Sequence, residues 1–273
     1  ENIEIISPSH SELDLLDKDN CFKYIDIHKP DWLINCAAYT AVDKAEKEPD
    51  LAKAINTQAT EYFAKAIKST DGKMLQISTD FVFDGNQKSQ YTPNQKTNPK
   101  NVYGHTKLLG ENALKKILFK TNQGVILRTS WLMGPTGKNF LLTMLKLFAK
   151  NKPIPVVNDQ FGSLTSTYNL SNICWKLIDI YTNSKQEKSH LPRILHWSDL
   201  GVVSWYDIAL EIAELAYKLN LVKSKAKVLP ISSKEYKNLA KRPEFSSLNC
   251  DRSCKVLKVN QIYWKDSLFD ILK

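Results

Sequence analysis

Strand-like and helix-like segments alternate through the first half of the chain, and this alternation limits the possible folds more than any other feature. The strand-like segments are nearly continuous apolar runs, as expected for strands that are buried on both faces. They are Asp31–Ala38, Gly72–Thr79 and Gly124–Leu132. Helix-like segments follow them, over Pro49–Ser69, Asn101–Lys120 and Asn139–Lys150. Strands that alternate with helices through short turns predict an α/β fold with a parallel, doubly wound sheet.

The second half of the chain is less regular, and its clearest element is a helix at Ser204–Leu219. Apolar residues recur there every three or four positions, and Ser204 with Asp207 forms a variant capping box at its start. The pattern also predicts strands at Ile3–Ser7 and Lys227–Ile231, and a helix from about Ser233. We therefore expect a first domain over residues 1–150 and a smaller α+β domain over 151–273, with some segments of the latter returning to the sheet.

Composition excludes several classes of protein. The 273 residues carry a net charge of +9 without a zinc-finger, RRM or basic-zipper pattern, so we expect no nucleic-acid partner. No apolar run approaches the roughly 18 residues of a membrane span, and no signal peptide is apparent, so we expect no membrane association. The five cysteines are scattered, which predicts reduced thiols in the cytoplasm. Cysteine and histidine spacings predict no metal site.

Candidate chemical groups follow the second of the buried strands. That strand ends in Ser78-Thr79-Asp80, and ligands of parallel α/β sheets bind at the carboxyl ends of strands. Tyr103 and Lys107 come next and share one face at the start of a helix. An ammonium beside a phenol lowers the pKa of the phenol, which would make Tyr103 a usable acid or base.

The Tyr-x-x-x-Lys spacing alone carries no weight. With 11 Tyr and 34 Lys, chance predicts about 1.4 such matches, and the chain has two. The second, Tyr181–Lys185, lies in a polar stretch without a preceding strand-end hydroxyl. Spacing and context together fit a half-buried, hydrogen-bonded Tyr103 as well as a catalytic one.

Longer motifs give the chain a family resemblance. It resembles the extended short-chain dehydrogenases/reductases, and within them the reductases of dTDP-4-keto-6-deoxy sugars. The resemblance covers the chain from about residue 12 to its end, with the motifs in the order of the family. These motifs are NCAAYTAVDKAEKEP (35–49), STDFVFDG (78–85), NVYGHTKLLGE (101–111), RTSWL (128–132), NDQFGSLT (158–165), SWYDIA (204–209) and RPEFSSLN (242–249).

The resemblance implies a Rossmann-like fold, with an NAD(P)-binding domain over 1–150 and a mainly substrate-binding domain over 151–273. It implies that hydride from NADPH or NADH reduces the C4 keto group of dTDP-4-dehydro-L-rhamnose to dTDP-L-rhamnose. The sequence does not decide between the two cofactors. The resemblance also allows a homodimer.

The resemblance assigns roles to individual residues. Tyr103 would protonate the carbonyl oxygen, Lys107 would tune Tyr103 and hold the nicotinamide ribose, and Thr79 would hydrogen-bond near the reacting oxygen. Asp80 and Trp131 would contact the sugar. The residues expected along the cofactor, besides Tyr103 and Lys107, are Asp14 and Leu15 at the adenine end and Ala38, Tyr39, Thr40 and Ile77.

Other functions stay open at this point. Related dehydratases carry Thr-Asp-Glu where this chain has Thr79-Asp80-Phe81, so reduction without dehydration is favoured. A reductase of another nucleotide 4-keto sugar is one alternative. A non-catalytic binding subunit is another, because the family includes the regulatory subunit of methionine adenosyltransferase. The acidic residues Asp43, Glu46 and Glu48 alternate with lysines and are expected to form a solvated helix entry.

Glycine is scarce in a way that bears on the cofactor site. None of the 9 glycines falls within residues 1–71, and neither G-x-G-x-x-G nor a P-loop is present. The resemblance implies a first strand and a glycine-rich turn, so we expect that about 25 residues are absent before Glu1. We also expect weak cofactor binding by the chain as given.

Overall fold

The computed structural model describes residues 3–150, 152–183 and 191–273. Its helices are α1 Lys18–His28, α2 Val42–Ala45, α3 Pro49–Lys53, α4 Ala59–Lys68, α5 Val102–Leu118, α6 Phe140–Phe148, α7 Thr167–Asn183, α8 Trp205–Lys218, α9 Asp251–Leu257 and α10 Trp264–Leu272. Its strands are β1 Trp32–Asn35, β2 Lys73–Thr79, β3 Gly124–Thr129, β4 Leu132–Met133, β5 Ile154–Val157, β6 Phe161–Gly162, β7 Thr165–Ser166, β8 Ile194–His196, β9 Val203–Ser204 and β10 Val228–Ile231. Within these ranges no helix is long and apolar enough to cross a membrane.

The main sheet of the described residues has four strands, in the order β1–β2–β3–β8, and all neighbours run parallel. β2 and β3 lie in its centre and pair from Met74 with Gly124 to Thr79 with Thr129. β8 belongs to the second half of the chain and pairs with β3. The parallel α/β sheet that the alternation predicts is confirmed.

Helices cover both faces of this sheet, because successive side chains of β2 and β3 point to opposite sides. Leu75 and Leu127 pack on one face in a cluster with α7 residues such as Leu177. Met74 and Ile126 pack on the other face in a cluster that includes side chains of α1, α4 and α5. The sheet is thus doubly wound, which explains why its central strands are buried on both faces.

A separate apolar cluster forms around α6, α8 and α10, so that α6, which precedes residue 151, packs with the second half of the chain. β5 and β10 pair in parallel beside it, and the strand predicted at Lys227–Ile231 is confirmed as β10. Two further two-stranded sheets, β4 with β7 and β6 with β9, are parallel and antiparallel respectively. β4, β6 and β7 lie between β3 and β8 in sequence, and β9 lies directly before α8.

The helix predicted over Pro49–Ser69 is confirmed, but its middle is widened. A π-helical segment, Ala54–Gln58, joins α3 to α4. The hydroxyl of Thr60 donates a 3.0 Å hydrogen bond to the carbonyl oxygen of Asn56. Gly110 of α5 faces the same carbonyl, and a Cβ there would lie 2.3 Å from it, so this helix crossing requires glycine.

Helix α5 begins where the sequence predicts. The side chain of Asn101 is its N-cap and accepts a 2.8 Å hydrogen bond from the backbone N–H of Gly104. Leu114 and Leu118 bury its later turns against β3 and α4. The cap and the buried face together fix the position of the first two turns, which carry Tyr103 and Lys107.

Two predicted elements are wrong. Ile3–Ser7 is extended but belongs to no strand, and Ile5 is 72% exposed. A strand requires a hydrogen-bonded neighbour, and none of the described strands lies beside this segment. The helix expected from Ser233 is a turn, in which Asp159 accepts hydrogen bonds from the backbone N–H and hydroxyl of Ser233. These bonds to another segment take the place of a helical ladder.

We predict that Ser204→Ala lowers the free energy of unfolding by about 1 kcal/mol. The Ser204 hydroxyl accepts a 3.1 Å bond from the N–H of Asp207, and the Asp207 carboxylate accepts a 2.9 Å bond from the N–H of Ser204. The substitution breaks this capping box at α8. Chemical denaturation measures the change, with the exposed Ser89→Ala as the matched control. Equal stabilities of the two variants would contradict the prediction.

Candidate active site

The carboxyl end of β2 and the first turns of α5 meet at one place. The ammonium of Lys107 is buried and donates a 2.7 Å hydrogen bond to the carbonyl oxygen of Ile77. Thr79 and Asp80 follow on the same strand end, and Tyr103 lies one turn before Lys107. The structure therefore brings these five residues, predicted from the sequence, into one site.

Tyr103 stays protonated in this site. Burial, with the charge of Asp80 as a smaller cause, raises the pKa of Tyr103 to about 12, although a hydrogen bond with Thr79 opposes the shift. The expectation that Lys107 lowers this pKa is not met, because desolvation of the phenol dominates and the ammonium binds the carbonyl of Ile77. A neutral phenol is the form that can donate a proton.

Asp80 is a buried carboxyl with an unused oxygen. Its Oδ1 accepts a 3.0 Å hydrogen bond from the hydroxyl of Thr79, and its Oδ2 has no partner among the described residues. Burial raises the pKa of Asp80 to about 7, against the opposing effects of the Ser246 and Thr79 hydroxyls. A buried polar atom without a partner points to a ligand or to a proton held there.

The loop after β1 contains three residues that the resemblance places along the cofactor. Ala38 and Tyr39 are half-buried and Thr40 is exposed, so this edge is accessible. Asn56 of the π segment holds the loop, because its Oδ1 accepts from the N–H of Tyr39 at 2.8 Å and its Nδ2 donates back to the Tyr39 carbonyl. Sequence reasoning did not single out Asn56, and its only signal was a polar residue on an apolar helix.

The acidic residues after this loop are not a solvated helix entry, which corrects that expectation. Asp43 accepts hydrogen bonds from both Nη atoms of Arg242, at 3.3 and 2.6 Å, and from two backbone N–H groups of residues 239–240. Glu46 accepts from the N–H of Val102 at 2.8 Å, and Glu48 accepts from the hydroxyl of Tyr39. Asp43 thus ties α2 to the second half of the chain, Glu46 binds the start of α5, and Glu48 holds Tyr39 in the loop after β1.

Trp131 has an unusual backbone and a stacked side chain. Its φ is +45°, in the left-handed region that side chains rarely adopt. Its ring stacks on Trp205 with centroids 3.8 Å apart and an angle of 12°. A Cβ on Gly162 would lie 2.6 Å from the Trp131 ring, so glycine is required beneath it. Trp205, at the start of α8, is partly buried against the apolar cluster of α6 and α8 and supports the Trp131 ring.

Asp14 and Leu15 lie in the turn before α1, away from the strand end described above. The carboxylate of Asp14 accepts from the N–H of Leu16 at 2.9 Å, and Leu15 packs on the cluster of α1 and α4. Their expected contact with adenine stays a prediction. Lys185 of the second Tyr-x-x-x-Lys match lies outside the described residues.

The sequence analysis missed a buried ion pair behind the site. Glu111 and Arg128 are 0% and 1% exposed, and two hydrogen bonds of 2.8 and 2.7 Å join the guanidinium to the carboxylate. Ser78 donates a third, of 2.7 Å, to Glu111. One signal was available, since an arginine inside the apolar run Gly124–Leu132 needs a buried partner.

The arrangement defines a class of protein. A doubly wound parallel sheet with a hydroxyl and carboxyl at a strand end, and a Tyr-x-x-x-Lys pair on the next helix, is that of the short-chain dehydrogenases/reductases. The family model described as "RmlD substrate binding domain" matches residues 1–273. The chain belongs to this family.

Relatives and solved structures agree with this assignment. A dTDP-4-dehydrorhamnose reductase of Aggregatibacter actinomycetemcomitans is 36% identical over 98% of this chain and 89% of its own length. The crystal structure of a dTDP-4-dehydrorhamnose reductase from Clostridium acetobutylicum superimposes with a TM-score of 0.88, at 36% identity, over 99% of this chain and 90% of its own. That of the Bacillus anthracis reductase, in complex with NADP, has a TM-score of 0.86 at 32% identity, over 97% and 88%. The Rossmann-like fold is confirmed.

We predict that Asp80→Asn becomes more stable relative to the unsubstituted protein as the pH rises from about 4 to about 7. The pKa of Asp80 is about 7 in the folded protein against 3.8 for an ordinary aspartate, so the native state holds a proton that the unfolded chain has lost. Stability of the unsubstituted protein therefore falls across this window, by up to about 1.4 kcal/mol per pH unit, and asparagine removes this dependence.

Denaturation at several pH values measures the effect. The exposed Ser89→Ala, which changes no titratable group, is the control, and we expect its difference from the unsubstituted protein not to change over the window. A difference for Asp80→Asn that is equally constant from pH 4 to pH 7 would show that Asp80 titrates as an exposed carboxyl.

Proposed function

We propose that this protein reduces the C4 keto group of dTDP-4-dehydro-L-rhamnose to dTDP-L-rhamnose with hydride from NADPH or NADH. The observation that carries the proposal is the meeting of Tyr103, Lys107 and Thr79 at the carboxyl end of β2. The names of the relatives supply the substrate, and the NADP complex of the Bacillus anthracis reductase supports the cofactor. The reaction would serve dTDP-rhamnose and surface-polysaccharide biosynthesis.

The site fits the nicotinamide half of such a cofactor. An ammonium has three N–H donors, and the bond to Ile77 uses one, so Lys107 can donate two more to ribose hydroxyls. Ala38, Tyr39 and Thr40 lie at the carboxyl end of the neighbouring strand, where ligands of parallel sheets bind. The bound nicotinamide would supply the hydride for the C4 carbon.

Proton delivery falls to Tyr103. Its phenol is neutral at pH 7, so it can donate to the keto oxygen as negative charge develops there. Thr79 hydrogen-bonds the same phenol and can orient it toward the substrate. Lys107 takes no proton in this step, and its remaining N–H donors would hold the nicotinamide ribose beside the phenol.

The sugar would lie between Asp80 and Trp131. The partnerless Oδ2 of Asp80 can accept a hydrogen bond from a sugar hydroxyl, which would satisfy it. The stacked Trp131 offers a rigid apolar wall. Residues 1–150 would hold the cofactor and 151–273 mainly the substrate.

We also propose a compartment for the protein. Cys21, Cys36, Cys174, Cys250 and Cys254 are all free thiols, which supports a reducing compartment such as the cytoplasm. We expect no nucleic-acid or membrane partner, and the family resemblance allows a homodimer.

We predict that Tyr103→Phe lowers kcat at least about a hundredfold, because the proton donor is removed. Loss of NADPH absorbance with dTDP-4-dehydro-L-rhamnose measures turnover, and a fluorescence titration checks that cofactor binding is unchanged. The exposed Tyr168→Phe is the control and should keep full activity. Unchanged turnover of Tyr103→Phe would refute the mechanism. If the unsubstituted protein turned over only other nucleotide 4-keto sugars, the proposed substrate would be refuted. If it turned over none of these sugars, a non-catalytic binding subunit would be favoured.

We predict that Trp131→Leu raises KM for the sugar nucleotide roughly tenfold, a loss of about 1.4 kcal/mol. Leucine cannot stack on Trp205, so the wall of the sugar pocket loses its fixed position. Steady-state kinetics at saturating NADPH measure KM, and Trp175→Leu on α7 is the control. A changed KM for NADPH with an unaltered one for the sugar would place Trp131 on the cofactor side instead.

A further inference from the structure

A buried carboxylate lies one helical turn beyond Lys107 and takes no part in the reaction proposed above. Glu111 and Lys107 are four residues apart on α5, so their side chains lie on the same face. Oε1 of Glu111 accepts from Ser78 Oγ at 2.7 Å and from Arg128 Nε at 2.8 Å. Oε2 accepts from Arg128 Nη2 at 2.7 Å and from Lys115 at 3.3 Å. Every oxygen of this carboxylate is therefore satisfied.

Its environment keeps Glu111 charged. The hydrogen bonds and charge of Arg128 outweigh burial and hold the pKa of Glu111 at about 2. Arg128 Nη1 lies 3.3 Å from Nε2 of His196, whose Nδ1 lies 3.0 Å from the carbonyl oxygen of Tyr91. Burial and the charge of Arg128 lower the pKa of His196 to about 3, so this ring is neutral and adds no charge to the network.

Lys107 needs a compensating charge because it is buried. Desolvation lowers the pKa of Lys107 to about 8, and the charge of Glu111 is the largest influence that opposes the shift. The other titratable group whose charge acts on it is the thiol of Cys36, in the loop after β1. Desolvation raises the pKa of Cys36, so this thiol is neutral near pH 7. The lasting negative charge beside the ammonium thus belongs to Glu111.

We propose that Glu111 is a positioning residue whose charge, one turn away on the same face of α5, keeps the buried ammonium of Lys107 protonated. The two hydrogen bonds of Arg128 are sufficient to hold the carboxylate in place, and Lys107 carries the effect of Glu111 to the site. The consequence for catalysis rests on the function proposed above. A structural role alone would give Glu111 an influence on stability but none on the titration of Lys107.

Titration of Lys107 itself tests the proposal without any activity. In protein whose lysines are isotopically labelled at Cε, NMR follows the chemical shift of each lysine side chain as the pH changes. The signal that disappears in Lys107→Met is that of Lys107. Because burial lowers the pKa of Lys107 to about 8, we expect its signal to titrate below the ordinary lysine value of about 10.4. In Glu111→Gln we expect its midpoint to fall by about one pH unit or more. Ser78→Ala is the matched control, because it removes a hydrogen bond to the carboxylate and keeps the charge, so its midpoint should stay unchanged.

A second variant separates charge from folding. Glu111→Gln leaves Arg128 buried and unpaired, which can prevent folding, whereas Glu111→Gln combined with Arg128→Met removes both charges. In this double variant we expect a Lys107 midpoint between those of the single variant and the unsubstituted protein. An unchanged midpoint in the folded variants would overturn the proposal. Failure of both variants to give a folded spectrum would assign Glu111 a structural role and would also overturn it.

The kinetic readout links this result to catalysis. If the protein has the proposed reductase activity, the alkaline limb of kcat should move to lower pH in Glu111→Gln by the same shift as the midpoint, and stay in place in Ser78→Ala. A shifted midpoint with an unmoved limb would retain the effect on Lys107 and remove its role in turnover. Absence of activity in the unsubstituted protein would refute the proposed function and leave the titration result standing.

Discussion

The contact between helix α5 and the carboxyl end of β2 holds the candidate active site together. Lys107 binds the carbonyl of Ile77 and Glu111 binds the hydroxyl of Ser78, so two consecutive strand residues are fastened to two consecutive helical turns. On the strand, Thr79 follows Ser78 directly. On the helix, Tyr103 lies one turn before Lys107. The relative position of Thr79 and Tyr103 is therefore fixed by the backbone of each element and by the two buried hydrogen bonds between the elements.

Burial divides the charged groups of this region into two kinds. Glu111 and Arg128 satisfy one another, and the pKa of Glu111 stays low. Among the described residues no direct ion pair holds Asp80 or Lys107. Desolvation moves the pKa of Asp80 up to about 7 and that of Lys107 down to about 8, although the charge of Glu111 opposes the shift of Lys107. Groups poised near neutrality are typical of sites that move protons, whereas the satisfied pair gives the region rigidity.

Much of the fold could be predicted from the sequence, because apolar runs and caps are local signals. The central strands, α5 with its Asn101 cap and the box at Ser204 are examples. The state of Ile3–Ser7 could not be predicted correctly, because a strand needs a hydrogen-bonded neighbour and the local sequence pattern does not show whether one is present.

For the candidate site, too, the residues could be predicted from local motifs, but their contacts with distant segments could not. The motifs named Tyr103, Lys107 and Thr79, but the pKa of Tyr103 depends on how deeply the phenol is buried. The roles of Asn56 and Glu111 depend on which residues meet them across the sheet. Contacts between distant segments, such as that of Asp43 with Arg242, carry no mark in the sequence.

The π-helical segment at Ala54–Gln58 has a consequence for how this chain can vary in length. A π turn holds one residue more than an α turn, and the helices on either side keep their buried faces. Loss of one residue here would restore a regular α-helix without rotating α4 away from the sheet. It would cost the chain the bonds of Asn56 to the loop after β1. An alignment gap at this place would therefore mark a relative with a differently supported cofactor edge.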